Sequence, residues 1–587
     1  MFLFFLPSGY QKSHSEMYYQ DKKGTAAQTY DAIVVGTGIS GGWAAKELTE
    51  KGLKTLVLER GRDVKHVQDY PTAMTPPWEL PLGNRTPREE IEKHYPKQMR
   101  TGYTIRESTK HWWIKDSEHP YQEVERFDWI RGYHVGGRSI MWGRQSYRLS
   151  PMDFEANAKE GIAVDWPIRY EDLADWYTYV EGFAGVNGKK EGLPQLPDGN
   201  FLPPMELNCV EQHTADAIKS KYSDRIMTIG RSANLTKAIH GRGACQYRNL
   251  CMRGCPYGGY FSSNASTLPA AAATGNMTLR PHSIVTEVIY DPKTQRASGV
   301  RILDAETRET HEYFAKVIFL NASALGSTFI MMNSKSDRFP NGLGNDSGEL
   351  GHNVMDHHFR VGASGRYDGF EDRYYSGRRP NGFYIPRFQN LGDAATRKNY
   401  LRGYGYQGGA NRENWTRGVR ELAMGEELKL DLMQPGPWRM GMTGFGECLP
   451  YHENKVTLDE SVRDMYGLPT LKMDAKFREN EMIMRKDMAA QAAEMLEAAG
   501  FKDVSTYDAG SYPGQGIHEM GTARMGRDPK TSVLNKWNQV HTCKNVFMTD
   551  GAAMTSSACQ NPSLTYMALT ARAADHAVKE LKRGNLG

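Results

Sequence analysis

The sequence predicts an α/β fold with two domains, one of which is built around a parallel sheet. Residues 30–61 contain a strand, a glycine-rich turn, a helix and a second strand in succession. Three further segments between 277 and 323 have the composition of strands and are separated by turn residues. A last strand and helix occupy residues 544–584. Strands that alternate with helices at both ends of the chain favour an α/β fold.

Composition places the chain among soluble globular proteins. Of its 587 residues, 39% are hydrophobic and 24% are charged, so the chain can bury a large core. Lys and Arg number 73 against 69 Asp and Glu, and the small net charge of +4 argues against a general nucleic-acid or anionic-membrane binder. No run approaches the ~18 apolar residues that a membrane helix needs. We therefore expect no nucleic-acid partner and no membrane span.

The N terminus has no clear signal peptide. It begins MFLFFLP, a short apolar stretch that ends at a proline, whereas a secretory signal has a charged start and a longer apolar stretch. We expect residues 1–28 to form a flexible polar tail. The compartment stays open between cytoplasm and periplasm.

Residues 36–59 have the pattern of a dinucleotide-binding unit. Gly36, Gly38 and Gly41 have G-x-G-x-x-G spacing directly after the apolar strand AIVVG. The first glycine allows the tight turn, the second lets a pyrophosphate approach the backbone, and the third lets the helix pack on the strand. Glu59 ends the second strand 18 residues after Gly41, where a carboxylate can bind a ribose hydroxyl. The unit predicts a dinucleotide-binding site, but it does not distinguish a site for FAD from a site for NAD.

A helix with a methionine stripe is predicted at residues 479–500. Asn480 can cap its start and Gly500 can end it. The residues that recur at helical spacing are Met484, Met488, Ala492, Met495 and Ala499. A stripe of this kind favours core packing over a cofactor contact.

The C-terminal region combines a strand end, a loop of small residues and a helix. The strand NVFMTD ends at Asp550, before Gly551, and the helix is predicted to have Asn561 as N-cap and Pro562 at its first position. A helix N-terminus stabilises negative charge, such as that on a reduced flavin. An amide at the N-cap can also bond a substrate oxygen.

A single histidine, His518, lies among glycines and methionines in PGQGIHEMGTARMG, residues 513–526. Oxidation of an alcohol by hydride transfer requires a base for the hydroxyl proton, and histidine has a suitable pKa range. Spacing alone leaves a structural histidine, and a simple helix cap at Asn561, as open alternatives.

Four separated segments resemble the glucose–methanol–choline (GMC) family of FAD-dependent oxidoreductases. They are residues 30–61, VGGRSIMWGR at 135–144, GLGNDSGELGHNVMDH at 342–357 and the run 515–577, in the family's order. The resemblance is closest to the branch that contains pyranose oxidases, gluconate and fructose dehydrogenases and glucoside 3-dehydrogenases. The resemblance implies a GMC-type two-domain flavoprotein with a Rossmann-like FAD-binding domain and a mixed-sheet substrate domain.

The resemblance and the segment order together predict the domain boundaries. The FAD-binding domain is discontinuous and comprises residues 29–63, 131–340 and 515–587. Residues 64–130 form an insertion, and residues 341–514 form the substrate-binding domain. The implied cofactor-binding residues are Gly36, Gly38, Gly41, Glu59, Gly136, Gly137, Ser139, Val285, Asp550, Gly551, Asn561, Pro562 and Thr565.

The resemblance also implies the catalytic residues. His518 stands at the catalytic histidine of an H-x-x-G-x-x-R-M-G stretch, and Asn561 stands at the partner position of an N-P-x-L-T stretch. Many family members have a second histidine there, whereas pyranose oxidases have asparagine. His518 is thus implied as the base, and Asn561 as the residue that orients the hydroxyl.

One departure from the family concerns the flavin linkage. Pyranose oxidases of the fungal type tether the flavin through a histidine in S-T-H-W. The aligned stretch here is Ser139-Ile140-Met141-Trp142, and methionine cannot form that bond. We therefore expect FAD to be bound non-covalently.

Three cysteines lie close together in one loop. Cys245, Cys251 and Cys255 form the pattern C-x5-C-x3-C-P, which suits a [3Fe–4S] centre of the kind that some dehydrogenases of this branch use. Arg248 stands where some related sequences carry a further cysteine, so a four-cysteine site is not expected. The alternatives are inert reduced thiols over the flavin, a disulfide or another metal.

His357 and His358 form an adjacent pair that could indicate a metal site. Adjacent residues on a strand point to opposite faces. The pair therefore favours packing or a polar contact over metal binding.

Together, these motifs and the family resemblance imply FAD-dependent oxidation of a secondary hydroxyl, at C2 or C3, of a sugar or glycoside. His518 is the expected base, and flavin N5 accepts the hydride. Electrons then pass to a quinone, a cytochrome or O2, and the cysteine loop favours a dehydrogenase over an oxidase. A small partner subunit or a homo-oligomer is also expected. The alternatives are an oxygen-using pyranose or glycoside oxidase, a non-catalytic FAD-binding assembly subunit and an NAD-dependent enzyme.

Overall fold

The computed structural model describes residues 29–375, 382–392, 398–413 and 424–586. The predicted flexible tail, residues 1–28, lies outside the described residues. Within the described residues, no helix has the length and apolar character needed to cross a membrane.

The first sheet has eight strands and a parallel core. Its strands are β1 (Thr29–Val35), β2 (Thr55–Leu58), β5 (Met277–Arg280), β6 (Ser283–Asp291), β7 (Arg296–Asp304), β8 (Thr310–Leu320), β16 (Gln539–Val540) and β17 (Cys543–Met548). The order β17-β8-β1-β2-β5 is parallel throughout. β6 and β7 form an antiparallel hairpin that joins β8, and β16 pairs with β17. The parallel strands are nearly continuous apolar runs, and their residues are buried on both faces of the sheet.

Three helices pack along one side of this parallel core. They are α1 (Ile39–Glu50), α6 (Thr267–Ala273) and α10 (Ser563–Lys582), and α1 contacts both of the others. α4 (Glu171–Ala184) packs against α10, and α7 (Ala324–Asn333) packs against β6. The N- and C-terminal segments of the chain therefore share one core.

The second sheet has six strands in the order β15-β9-β12-β11-β10-β4, and all neighbours are antiparallel. The strands are β4 (Thr228–Ile229), β9 (His358–Tyr367), β10 (Phe383–Ile385), β11 (Tyr404–Arg412), β12 (Trp438–Gly446) and β15 (Lys502–Asp508). α5 (Cys209–Lys221) and α9 (Glu479–Ala498) pack on it. α5 and β4 thus contribute to this second sheet and its core, although they come from the segment 131–340.

The methionine stripe of α9 is core packing, as predicted. Its five members are all buried in the core beneath the second sheet. The start of the helix differs from the prediction. Arg478 is the N-cap, and Glu481 bonds back to its backbone N–H, whereas Asn480 lies within the first turn and accepts a hydrogen bond from Leu401 N.

A third, small sheet ties the insertion to the rest of the chain. β13 (Lys455–Arg463) pairs antiparallel with β14 (Pro469–Asp474), which pairs in parallel with β3 (Gln122–Glu123). Among the described residues, the other α-helices are α2 (Arg88–His94), α3 (Pro151–Glu160) and α8 (Gly425–Leu432).

Candidate active site

A cavity of about 1020 Å³ opens at the carboxyl end of the parallel strands. Gly36 follows β1, Glu59 follows β2, Asn321 follows β8 and Asp550 follows β17, and all four residues line the cavity. Residues at the N-terminal ends of α1, α7 and α10 line it as well. Ligands of open α/β sheets bind at this edge, where helix N-termini offer unpaired N–H groups.

The glycines of the first turn fit a dinucleotide. Gly36 has φ +93°, and a Cβ there would lie 2.4 Å from Asn321 O. A Cβ on Gly41 would lie 2.0 Å from Gly36 O, so only glycine allows α1 to pack this closely on β1. Gly38 precedes α1 without a side-chain cap, and a Cβ on it would meet nothing within 4 Å. The backbone at Gly38 is therefore open to a phosphate in the cavity.

Glu59 is arranged to bind a ribose. Thr37 N donates to Glu59 Oε2 at 3.1 Å, and Gly61 N donates to Oε1 at 2.9 Å. Oε2 also accepts from the Thr37 hydroxyl at 2.5 Å, so Oε1 is the oxygen that keeps a lone pair for a ribose hydroxyl. Burial raises the pKa of this carboxyl, while the hydrogen bond from the Thr37 hydroxyl opposes that rise.

The second glycine loop lies against the first. Gly136 N donates to the Thr37 hydroxyl at 2.9 Å, and a Cβ on Gly137 would lie 3.4 Å from Gly38 Cα. The Ser139 hydroxyl accepts from Ser263 N at 3.0 Å. Met141, at the position of the tethering histidine of fungal pyranose oxidases, is buried and lines the cavity.

His518 pairs with a second histidine at the cavity wall. His518 Nδ1 lies 2.8 Å from His357 Nδ1, and His357 Nε2 lies 2.8 Å from Ala558 O. His518 is half-buried and lines the cavity, whereas His357 is fully buried behind it. His357 thus makes a polar contact, the kind of role that the sequence favoured for the His357–His358 pair.

Burial keeps both imidazoles neutral. It lowers the pKa of His357 to about 4 and lowers the pKa of His518 well below its usual range. Repulsion from His357, when that ring is protonated, and from Arg138 lowers the pKa of His518 further. Both rings are therefore neutral at neutral pH, the protonation state that a base needs before it accepts a proton.

Asp356 holds the two histidine-bearing segments together. Its Oδ1 accepts from His357 N at 2.8 Å and from His518 N at 3.1 Å, and its Oδ2 accepts from Gly516 N at 2.9 Å. Burial, and then the nearby Glu519, raise the pKa of Asp356 to about 8, although the three N–H donors favour its ionised form. This one carboxyl group therefore sets the separation of the two rings.

Asn561 faces the second domain. Gln407 Nε2, on β11, donates to Asn561 Oδ1 at 2.6 Å, and both side chains line the cavity. The predicted N-cap role of Asn561 is wrong, because α10 begins at Ser563 and Pro562 occupies the cap position without a side-chain cap bond. The Asn561 oxygen is bonded to Gln407 instead of the first N–H groups of the helix.

The cavity gathers most of the predicted site residues. Those that line it are Gly36, Gly38, Glu59, Gly137, Ser139, Val285, His518, Asp550, Gly551 and Asn561. Gly41, Gly136, Pro562 and Thr565 lie behind the wall, where Thr565 bonds the buried Tyr177 hydroxyl at 2.8 Å.

Sequence analysis missed Asp356 and Gln407, and it gave His357 no part in the site. Asp356 and His357 are within the family-like segment 342–357, which is a usable signal. Gln407 carries no motif, because its role depends on which strand of the second sheet reaches α10.

The candidate [3Fe–4S] centre is not supported. Among the described residues, no group of three or more His, Cys, Asp or Glu side chains is arranged to hold a metal ion. Cys245, Cys251 and Cys255 are free thiols around a separate cavity of about 30 Å³, and burial raises the pKa of Cys245 and Cys255. The three cysteines line one small cavity, but the described residues do not form a metal site there.

Comparison with known proteins agrees with this geometry. Family profiles described as GMC oxidoreductase match residues 30–359 and 450–570. The chain is 28% identical over 585 residues to 2-methyl-1,2-propanediol dehydrogenase of Mycolicibacterium austroafricanum, covering 94% of this chain and 96% of that one. It is 26% identical over 564 residues to the fructose dehydrogenase large subunit of Gluconobacter japonicus, covering 94% and 98%.

A solved structure extends the likeness to the fold. A formate oxidase variant from Aspergillus oryzae RIB40 superposes with a TM-score of 0.59 at 14% identity, covering 96% of this chain and 100% of that one. The parallel sheet with its glycine-rich cradle and the separate antiparallel sheet agree with the two-domain GMC fold. The chain therefore belongs to the GMC oxidoreductase family and is an FAD-dependent oxidoreductase that acts on CH–OH groups.

Proposed function

We propose that the protein oxidises a secondary hydroxyl, at C2 or C3, of a sugar or glycoside, with His518 as the base. The fructose dehydrogenase large subunit is among its relatives, which supports a carbohydrate substrate. The cavity beside His518 also has two half-buried phenylalanines, Phe359 and Phe445, whose rings stack with centroids 5.2 Å apart. Aromatic faces of this kind suit the apolar face of a sugar ring.

The observation that carries the proposal is the hydrogen-bond chain from His518 to Ala558. A carbonyl oxygen only accepts, so His357 Nε2 carries a proton and donates it to Ala558 O. A neutral His357 then has a bare Nδ1, and His518 Nδ1 must donate to it. His518 Nε2 is left with its lone pair, and no described residue hydrogen-bonds to it. That nitrogen can accept the substrate hydroxyl proton.

The second polar group at the reacting hydroxyl is Asn561. Because Gln407 bonds Asn561 Oδ1, the amide N–H groups of Asn561 remain for a ligand. They can donate to the hydroxyl oxygen while His518 Nε2 takes its proton. The bound FAD supplies the hydride acceptor, flavin N5. The protein residues thus hold the carbinol oxygen and remove its proton.

The cofactor is proposed to be non-covalent. Met141 lies at the tether position and cannot form the histidyl bond of fungal pyranose oxidases. The glycine cradle and Glu59 would then hold FAD through hydrogen bonds and the N-terminus of α1 alone.

For the second half-reaction, we favour a dehydrogenase that passes electrons to a quinone or a cytochrome. Both named relatives are dehydrogenases, and one is a large subunit, which supports a small partner subunit. The relatives support this choice, whereas the cysteine loop, which favoured a dehydrogenase from the sequence, no longer does. A homo-oligomer is the other assembly considered.

Anaerobic mixing of the purified holoenzyme with a panel of sugars and glycosides tests the substrate class. We expect the oxidised flavin band to bleach with a carbohydrate that has a free secondary hydroxyl, and we expect the matching deoxy sugar to leave it unchanged. Turnover with a quinone or dye at a rate independent of O2 supports the dehydrogenase. Rapid reoxidation by O2 alone would identify an oxidase. Absence of bleaching with every alcohol would favour a non-catalytic FAD-binding subunit.

A further inference from the structure

We propose that Gln407 is a positioning residue that fixes which end of the Asn561 amide meets the substrate. The inference rests on the proposed function, because it concerns how the reacting hydroxyl is held. Gln407 Nε2 donates to Asn561 Oδ1 at 2.6 Å. The contact joins the second sheet to the residues that precede α10. The orientation of the Asn561 amide, which holds the substrate hydroxyl, is therefore set by a residue of the other domain.

An asparagine amide needs such a partner because its two ends have the same shape. The oxygen accepts hydrogen bonds and the nitrogen donates them, and a half-turn about the last side-chain bond exchanges them. Among the described residues, the bond from Gln407 is the one hydrogen bond of the Asn561 side chain. Without it, the amide can present either end to the cavity.

The substrate requires one of these orientations. A hydroxyl has a single proton, and His518 Nε2 accepts it in the proposed reaction. The hydroxyl oxygen can then only accept, so its second partner must be a donor. Asn561 provides that donor with its oxygen held by Gln407, whereas the reversed amide would set a second acceptor against the hydroxyl.

The backbone at Gln407 is well placed to impose this order. Gln407 lies inside the second sheet, opposite Thr443 on β12 and Tyr384 on β10, so strands on both sides hold it. Rigid strands position functional groups more precisely than loops do.

Two substitutions at Gln407 separate orientation from packing. In Gln407→Glu, the ionised carboxylate only accepts, so Asn561 turns its N–H groups toward it and presents its oxygen to the substrate. In Gln407→Leu, the hydrogen bond is lost but neither orientation is imposed. We expect kcat for flavin reduction to fall about tenfold or more in the Glu variant, and less in the Leu variant, at neutral pH. KM should change less than kcat in both variants.

The pH dependence gives a readout that a purely structural role would not move. As the pH falls, the carboxylate introduced by Gln407→Glu becomes protonated, and its O–H can donate to Asn561 Oδ1. The ratio of the Glu variant's rate to the wild-type rate should therefore rise toward low pH, while the ratio for the Leu variant stays level. Dividing by the wild-type rate at each pH removes the titration of the other ionisable groups that line the cavity, which include Arg138, His518, Asp550 and Tyr566.

A double-mutant cycle tests the same coupling without relying on pH. Asn561→Asp has two acceptor oxygens and no end to orient, so adding Gln407→Leu to it should cost little further activity. FAD content and melting temperature identify variants that lose the holo fold.

If the rates of the Glu and Leu variants fall equally with level pH ratios, or if the losses in the cycle simply add, the Gln407 proposal is overturned while the function stands. If the wild type oxidises no carbohydrate, the proposed function itself fails.

Discussion

At the residue scale, the proposed chemistry depends on the tautomer of His518. The sequence identifies this histidine and its motif, but it does not show which ring nitrogen carries the proton. The protonated nitrogen is set by His357 and Ala558, which are distant in sequence and meet only in the fold. The neutral, Nδ1-protonated ring is the state in which Nε2 can act as a base.

Replacing His357 tests whether the tautomer matters. In His357→Leu, the acceptor of the His518 Nδ1 proton is lost, so that proton can move to Nε2 and block the base. We expect the rate of flavin reduction to fall about tenfold or more, which corresponds to ~1.4 kcal/mol. Stopped-flow reduction of the FAD-loaded variant measures this. His358→Leu, the adjacent buried histidine, is the matched control and should reduce flavin at close to the wild-type rate if it retains FAD.

The depressed pKa values predict an unusual pH profile. His518 stays neutral well below the usual histidine range, and the pKa of His357 is about 4. The acid limb of kcat/KM should therefore lie below pH ~6.5, the ordinary histidine value. An acid limb at or above that value would contradict the assignment of the limb to His518.

The lowered histidine pKa values also make the stability of the fold depend on pH. The unfolded chain binds protons to these histidines below pH ~6.5, whereas the folded chain does not, so the free energy of unfolding falls as the pH drops through that range. Denaturant unfolding of the wild type and of His357→Leu across pH 5 to 7 should show a weaker pH dependence in the variant.

At the element scale, the loop that carries His518 is held by its contact with Asp356. Gly516 packs so closely that a Cβ would lie 2.5 Å from Asp356 Oδ1 and 2.7 Å from His357 O. Gly516→Ala must therefore displace the loop or the carboxylate. We expect a loss of ~1–3 kcal/mol in stability and a lower rate of flavin reduction.

Gly441→Ala provides the comparison for this change. Gly441 lies on β12, and a Cβ there would meet nothing within 4 Å. Its thermal unfolding and its flavin reduction should match the wild type. Equal effects of the two substitutions would show that the Asp356 contact does not set the loop.

The elements themselves were largely predictable. The strands at 277–323, the glycine turn and the stripe of α9 follow from periodicity and from glycine placement, which are local properties. The start of α10 was misplaced because the prediction took Asn561 for a local cap, whereas its oxygen bonds Gln407 on another domain. The prediction of an iron–sulfur centre in the cysteine loop was not supported for a similar reason. The spacing of three cysteines in the sequence does not determine how their sulfur atoms are arranged in the fold.

At the scale of the whole molecule, FAD is expected to act as a removable structural element between the two sheets. Acid precipitation of the holoenzyme should release all of the flavin into the supernatant, because Met141 offers no covalent link. Flavin that stays with the precipitated protein would contradict non-covalent binding.

Removal of FAD should also lower the stability of the fold. A ligand at 100 times its dissociation constant stabilises the native state by ~2.7 kcal/mol. The melting temperature of the apoprotein should therefore rise as FAD is added back. A melting temperature that does not depend on FAD would show that the folded protein does not bind FAD in preference to the unfolded chain.

In the proposed reaction, His518 Nε2 removes the proton of a carbohydrate hydroxyl. The most direct test is anaerobic stopped-flow reduction of the FAD-loaded wild type and of His518→Ala with the same sugar. Proton removal by His518 predicts that the wild-type flavin band bleaches and that the variant bleaches about 10²- to 10⁴-fold more slowly, with its FAD content unchanged. Bleaching at the wild-type rate in His518→Ala would contradict it.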